Sequence, residues 1–183
     1  MTFRLRAAAR AERGDDVEAD LQTVREIAYA TWPDTFRDIL KPEQITYMLE
    51  WLYALPRLRA QVSAREHEFH FAEIDGRPVG FCAHQLDHPE TGISKIHKLY
   101  LLPETQGQGI GKALVQQVVG EARAVGHHAV VLNVNKYNRA VAFYEAIGFV
   151  RDREEVIDIG GGYVMDDYVM RLDLPPASLA RNG

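Results

Sequence analysis

Between the apolar run Leu99-Tyr100-Leu101-Leu102-Pro103 and the amphipathic run Lys112 to Val125, the chain reads Gln-Gly-Gln-Gly-Ile-Gly-Lys-Ala over residues 106–113. Strand, glycine-rich turn and helix in that order restrict the fold more than any other stretch. Three glycines in five residues are costly without a close backbone approach. The turn also aims several N–H groups that have no helical acceptor, and the positive end of a helix dipole, at one point. Such a point suits an anion, and a phosphate above all.

Three phosphate loops compete for this stretch. The nucleoside-triphosphate loop, G-x-x-x-x-G-K-[ST], is met by Gly111-Lys112, but Gln106 occupies its first glycine and Ala113 replaces the metal-binding hydroxyl. The dinucleotide fingerprint, G-x-G-x-x-G, is met by Gly107 and Gly109 but finds Lys112 at its third glycine; started at Gly109, it ends on Leu114. The pattern [QR]-x-x-G-x-[GA] is met without a gap by Gln106, Gly109 and Gly111. A second segment follows one helix and one strand later: Asn138-Arg139-Ala140-Val141-Ala142-Phe143-Tyr144-Glu145-Ala146-Ile147-Gly148-Phe149. In these two segments the chain resembles the GNAT superfamily of N-acetyltransferases, well over residues 68–172 and in outline before that.

Composition narrows the function classes. One domain over residues 1–174, with 175–183 as a frayed tail, is the natural division of 183 residues. A net charge of −5 argues against a nucleic-acid surface, which needs a basic stripe. No apolar run reaches bilayer-spanning length, and Met1 to Arg6 lack the apolar core of a signal peptide, so a cytoplasmic protein without membrane partners is expected. Cys82, the only cysteine, sits in an apolar run and reads as a small buried hydrophobe.

The hydrophobic periodicities predict an edge strand over Thr2 to Ala8, then a helix capped by Asp15 or Asp16 and broken at Trp32-Pro33-Asp34. A second helix starts near Pro42, and a third runs from Pro56 to about Ala64. Phe69 to Ile74 and Pro78 to Leu86 flank the hairpin signal Asp75-Gly76-Arg77. Further strands are expected over Ser94 to Leu102, Ala129 to Val134, Phe149 to Ile159 and Tyr163 to Leu172, with helices over Lys112 to Val125 and Asn138 to Ile147. The order predicts an α/β fold: a mixed, mostly antiparallel central sheet of about seven strands with helices on both faces. The resemblance implies the same.

The resemblance also implies a site. Acetyl-CoA would be the co-substrate, its pantetheine arm lying where the strand before the loop splays from the strand after its helix. Leu99, Tyr100 and Leu101 would line that gap, with the Leu99 N–H facing the thioester carbonyl. Gln106, Gly107, Gln108, Gly109, Ile110, Gly111 and Lys112 would hold the pyrophosphate. Asn138 would bond the arm while also capping its own helix. Tyr144 is the candidate general acid toward the departing thiolate, whose parent thiol has a pKa of about 8.5 by analogy with cysteine. An alkylamine acceptor, with a pKa of about 10.4, must first lose a proton. His97 is the candidate base on the bounding strand, with Glu73 and His84 in reserve through water. The scheme is direct transfer in a ternary complex.

For the acceptor, Trp32 and Tyr47 from the early helices and Asp166 from the last hairpin would receive a small primary amine. A protein N-terminus or lysine is the enzymatic alternative, and an acyl-CoA-binding module without transfer activity is the non-enzymatic one. The resemblance admits a homodimer, but no seam is legible. No metal is expected, because His84 and His88 lie on a strand and loop and do not share a helix face, and His127-His128 reads as an exposed turn.

Overall fold

The computed structural model describes residues 2–8 and 14–175. The elements run β1 (Phe3–Ala7), α1 (Gly14–Phe36), α2 (Pro42–Leu52), α3 (Leu55–Ser63), β2 (Glu68–Ile74), β3 (Arg77–Gln85) and β4 (Ile93–Leu101). A 3-10 turn over Pro103–Thr105 leads to α4 (Ile110–Ala124), β5 (Ala129–Asn135), α5 (Ala140–Ala146), β6 (Val150–Gly160) and β7 (Tyr163–Asp173). The seven strands form one sheet in the order β1-β2-β3-β4-β5-β7-β6, antiparallel throughout except for β4 beside β5. The expected mixed, mostly antiparallel sheet is the observed one.

Alternation along the strands separates two cores. Phe69, Phe71 and Phe81 face α1, α2 and α3. Ala72, Cys82 and Ile96 face α4, against Leu114 and Val118. The β2–β3 hairpin turns on Asp75 and Gly76, both at positive φ (50° and 76°), as a two-residue turn that matches strand twist requires. At Gly80 of β3 a side chain has no room: a Cβ there would lie 2.8 Å from the Tyr100 carbonyl oxygen.

One expected break is absent. α1 continues through Pro33 to Phe36. Proline removes a hydrogen bond to the Tyr29 carbonyl, but Tyr29 is exposed, so water can replace the lost donor. Burial of Trp32 and Phe36, with ring centroids 4.6 Å apart, holds the turn helical. The helix already runs at Gly14, ahead of Asp15 and Asp16. The expected tail beyond 175 lies outside the described residues.

On the α4 face a histidine pair forms that sequence spacing did not suggest. His70 and His84 stack at 5.2 Å with planes 12° apart, and each Nε2 lies 2.9 Å from a different oxygen of Glu121 on α4. Burial pushes the Glu121 carboxyl up, but the contacts from His70, His84 and Gln117 outweigh it and hold the group well below the carboxylate range. A depressed carboxyl contributes stability above its unfolded pKa, near 4.5, and loses it as pH falls through the folded value. Glu121→Gln is therefore expected to lower unfolding free energy by about 1–3 kcal/mol at pH 7, with the deficit shrinking in acid. Urea denaturation at pH 7 and pH 3 checks this; a deficit undiminished at pH 3 would show that the carboxylate charge is not involved.

Candidate active site

The parallel pairing of β4 with β5 covers only Ile93–Ile96 against Ala129–Leu132. Beyond it β4 stays with β3 and β5 stays with β7, so the two central strands part. The Leu102 N–H donates to the Val79 carbonyl at 2.8 Å. By alternation, the N–H and C=O groups of Leu99 and Leu101 point the other way, into the gap that β5 has left. The Leu101 carbonyl accepts from Gln106 Nε2 at 3.4 Å, and the remaining main-chain groups of Leu99 and Leu101 are open to a ligand.

The gap ends at the glycine loop. Gly107 and Gly109 adopt φ +77° and +79°, and helix α4 starts directly after Gly109, two residues earlier than Lys112. From Gly107 to Lys112 no main-chain N–H has a hydrogen-bond partner among the described residues, whereas Gln106 N–H donates to Pro103 and Ala113 N–H to Gly109. Consecutive free N–H groups at a helix N-terminus are an anion cradle.

A cavity of about 350 Å³ fills the gap and extends under α1–α3. Leu99, Tyr100, Asn138 and Tyr144 line it, together with His97 and Trp32. Asn138 Oδ1 accepts the Ala140 N–H at 2.8 Å at the start of α5, and Asn138 also borders the cavity. Tyr144 stands edge-on between Phe143 and Phe149, at 5.1 and 5.7 Å. Burial, then the neighbouring Cys82 and Tyr100, push its phenol up, so it stays protonated. Tyr47 and Asp166 do not line the cavity. The Tyr47 hydroxyl donates to the Ile159 carbonyl, and Asp166 pairs with Lys136. The neighbouring Asp167 takes the inward position, because strand alternation turns Asp166 outward.

The strand holding His97 is irregular. Lys98 pairs with Ala83 and Ile96 with His84, so His97 is the extra residue of a bulge. The bulge reverses the alternation: Ile96 faces α4, yet Lys98 lies under Tyr53 on the opposite face. His97 Nε2 is 3.1 Å from Gln85 Oε1, and the ring stacks on His67 at 4.4 Å. Burial, then Lys98 and Lys95, push the His97 pKa down to about 3. The expected basicity near 6.5 is therefore lost, and the ring is a weak proton acceptor. The reserve bases are also elsewhere: Glu73 accepts from Arg4 and Arg6, and His84 faces Glu121.

Two other titratable groups with shifted pKa values line the cavity. Burial, then Glu155 and Asp166, raise Asp167 to about 6. Burial, then Arg57, lower Lys98 to about 7, with its Nζ 2.8 Å from His67 Nε2. Sequence reading missed Lys98 and Arg57. A lysine and an arginine in an amphipathic pattern look like solvated surface, and no local signal announces the bulge that turns Lys98 inward.

The acetyltransferase (GNAT) family model matches residues 21–149. An uncharacterized N-acetyltransferase of Methanocaldococcus jannaschii is 32% identical over 97 residues, half of this chain and 42% of that protein. A mycothiol acetyltransferase of Paenarthrobacter aurescens is 34% identical over 105 residues, 51% of this chain and 32% of that one. The matched stretch thus spans less than half the length of either relative. Among solved structures, a PaiA N-acetyltransferase of Thermoplasma acidophilum in complex with coenzyme A shares the fold, with TM-score 0.75 and 23% identity over 95% of this chain and all of that one. The matched family segment includes the splayed strands, the glycine loop and the Asn138–Phe149 segment, and the chain belongs to the acetyltransferase (GNAT) family.

Proposed function

We propose that the protein transfers an acetyl group from acetyl-CoA to a primary amine of a small molecule, by direct attack in a ternary complex. The observation that carries this reading is that the strands splayed beyond Ile96 and Leu132 have an N–H cradle at Gly107–Lys112 on one side and, on the other, a cavity under α1–α3 lined by Leu99, Tyr100, Asn138 and Tyr144. When bound, acetyl-CoA supplies an activated acyl group and a thiolate leaving group.

The chain's own residues would then act as follows. Gln106 to Lys112 hold the pyrophosphate, and Asn138 borders the pantetheine arm. The Leu99 N–H donates to the acyl oxygen as negative charge develops there. Asp167 takes the ammonium proton, freeing the nitrogen lone pair; its carboxylate is mostly ionised at pH 7 and its raised pKa makes it a better acceptor than an ordinary aspartate. The C–N bond forms to give a tetrahedral adduct whose nitrogen carries one surplus proton. As the C–S bond breaks, Tyr144 donates its proton to the departing sulfur, and the surplus nitrogen proton passes back to the Tyr144 phenolate through water, while Asp167 gives its proton to solvent as product leaves. His97 orients within the bulge without titrating.

Calorimetric titration with acetyl-CoA, followed by thiol release with an amine panel, tests the reading. Saturable binding and amine-dependent thiol release are expected. Absence of acetyl-CoA binding would overturn it.

A further inference from the structure

Arginines on the surface of this protein find carboxylates: Arg4 and Arg6 meet Glu73, Arg59 meets Glu18, and Arg151 meets Glu145. Inside the cavity the pattern is reversed. Arg57 of α3 stacks over Trp51 at 4.3 Å, its buried Nε without a hydrogen-bond partner, and it pairs with no carboxylate among the described residues. Lys98 is 8% exposed, contacts His67 and the Tyr53 ring, and likewise has no carboxylate. Both line the same cavity as the buried Asp167, whose own neighbouring cation is Lys95. Uncompensated cations in a confined apolar space are costly, and an anion entering there relieves that cost.

Resting on the acetyl-transfer reading above, we propose that the acceptor is an α-amino acid, its carboxylate seated between Arg57 and Lys98 and its amine directed to Asp167. A zwitterion offers a carboxylate to Arg57 and Lys98, which lack one, and an ammonium to Asp167. A polyamine would meet Arg57 and Lys98 with like charge and be disfavoured.

The state of Lys98 supplies an independent signature. The groups facing it are Arg57 from α3, His67 ahead of β2, Tyr53 beyond α2 and His97 on its own strand. None is an acid that is ionised at pH 7, and burial leaves Lys98 near pH 7 only partly protonated. A carboxylate arriving beside it pulls the proton on, so binding takes up protons at pH 7.5 and above, and a neutral amide in its place does not.

The test compares each common amino acid with its own amide and its decarboxylated amine, at saturating acetyl-CoA. At least one amino acid is expected to exceed its amide in kcat/KM by roughly tenfold or more. Arg57→Gln and Lys98→Met are expected to bring that ratio near unity mainly through KM, and Arg57→Lys to restore part of it. Titration of the wild-type coenzyme A complex with the preferred amino acid, in buffers of different ionisation enthalpy, should show proton uptake even if a variant fails to fold. Equal rates for acids and amides overturn the proposal while acetyl transfer stands, as does acetyl-CoA binding with no amino acid accepted. Failure to bind acetyl-CoA overturns the transfer reading itself, and this proposal with it.

Discussion

Replacing Tyr144 with phenylalanine is expected to slow acetyl transfer by about a hundredfold while acetyl-CoA affinity changes little, because a positioned general acid contributes on that order or more. The phenylalanine ring keeps the edge-on packing against Phe143 and Phe149, so only the hydroxyl is lost. That hydroxyl is present as a proton donor. Burial holds it protonated throughout the working pH range, and its ring borders the cavity below the splayed strands. Thiol release measured beside calorimetric affinity separates the two quantities. Unchanged turnover would remove Tyr144 from the chemistry. Intact acetyl-CoA binding with no turnover in the wild type would point to an acyl-CoA-binding module.

Asp167→Asn is expected to lower kcat/KM by about a hundredfold or more and to abolish the acid limb of its pH profile. The base must be ionised, so the wild-type rate should rise with pH through about 6, the value to which burial, Glu155 and Asp166 raise Asp167. His97 cannot produce that limb, since burial and the cations Lys98 and Lys95 push it to about 3. His97→Ala should therefore leave the midpoint in place. The same variant carries a stability signature of opposite sign. A carboxyl whose folded pKa lies above its unfolded value contributes stability at low pH that is lost as pH rises through the folded pKa. At pH 8 the buried charge is a cost, so Asp167→Asn should raise stability there, by up to about 3 kcal/mol. A slower but more stable variant would fit a site that trades stability for chemistry. An acid limb that survives in Asp167→Asn would assign the base elsewhere.

The parts legible in the sequence are those whose physics is local. The glycine loop announced itself because positive φ at Gly107 and Gly109 is a demand of the backbone at those residues. The Asp75-Gly76 turn and the apolar alternation of Phe69 and Phe71 are local in the same sense, and so is the Asn138 cap. The mixed sheet and its helices on both faces followed from element order, since each apolar face must be covered, whereas the placement of β7 rather than β6 beside β5 did not.

The acceptor half was not legible, because its chemistry depends on which residues meet across distant elements. Glu73 and His84 each carry a suitable group, yet one is held by Arg4 and Arg6 and the other faces Glu121. Pro33 is a helix breaker by itself, but burial of Trp32 and Phe36 outweighs one lost hydrogen bond. His97 has ordinary basicity in water and little inside the fold, since desolvation and neighbouring lysines act only once the chain has closed around it. Sequence by itself therefore determined the cradle, the strand-and-helix order and the family. Tertiary structure alone decided which side chains line the cavity: a single extra residue in β4 reversed the alternation and turned Lys98 into the cavity that Asp167 also lines, and burial shifted the pKa of both.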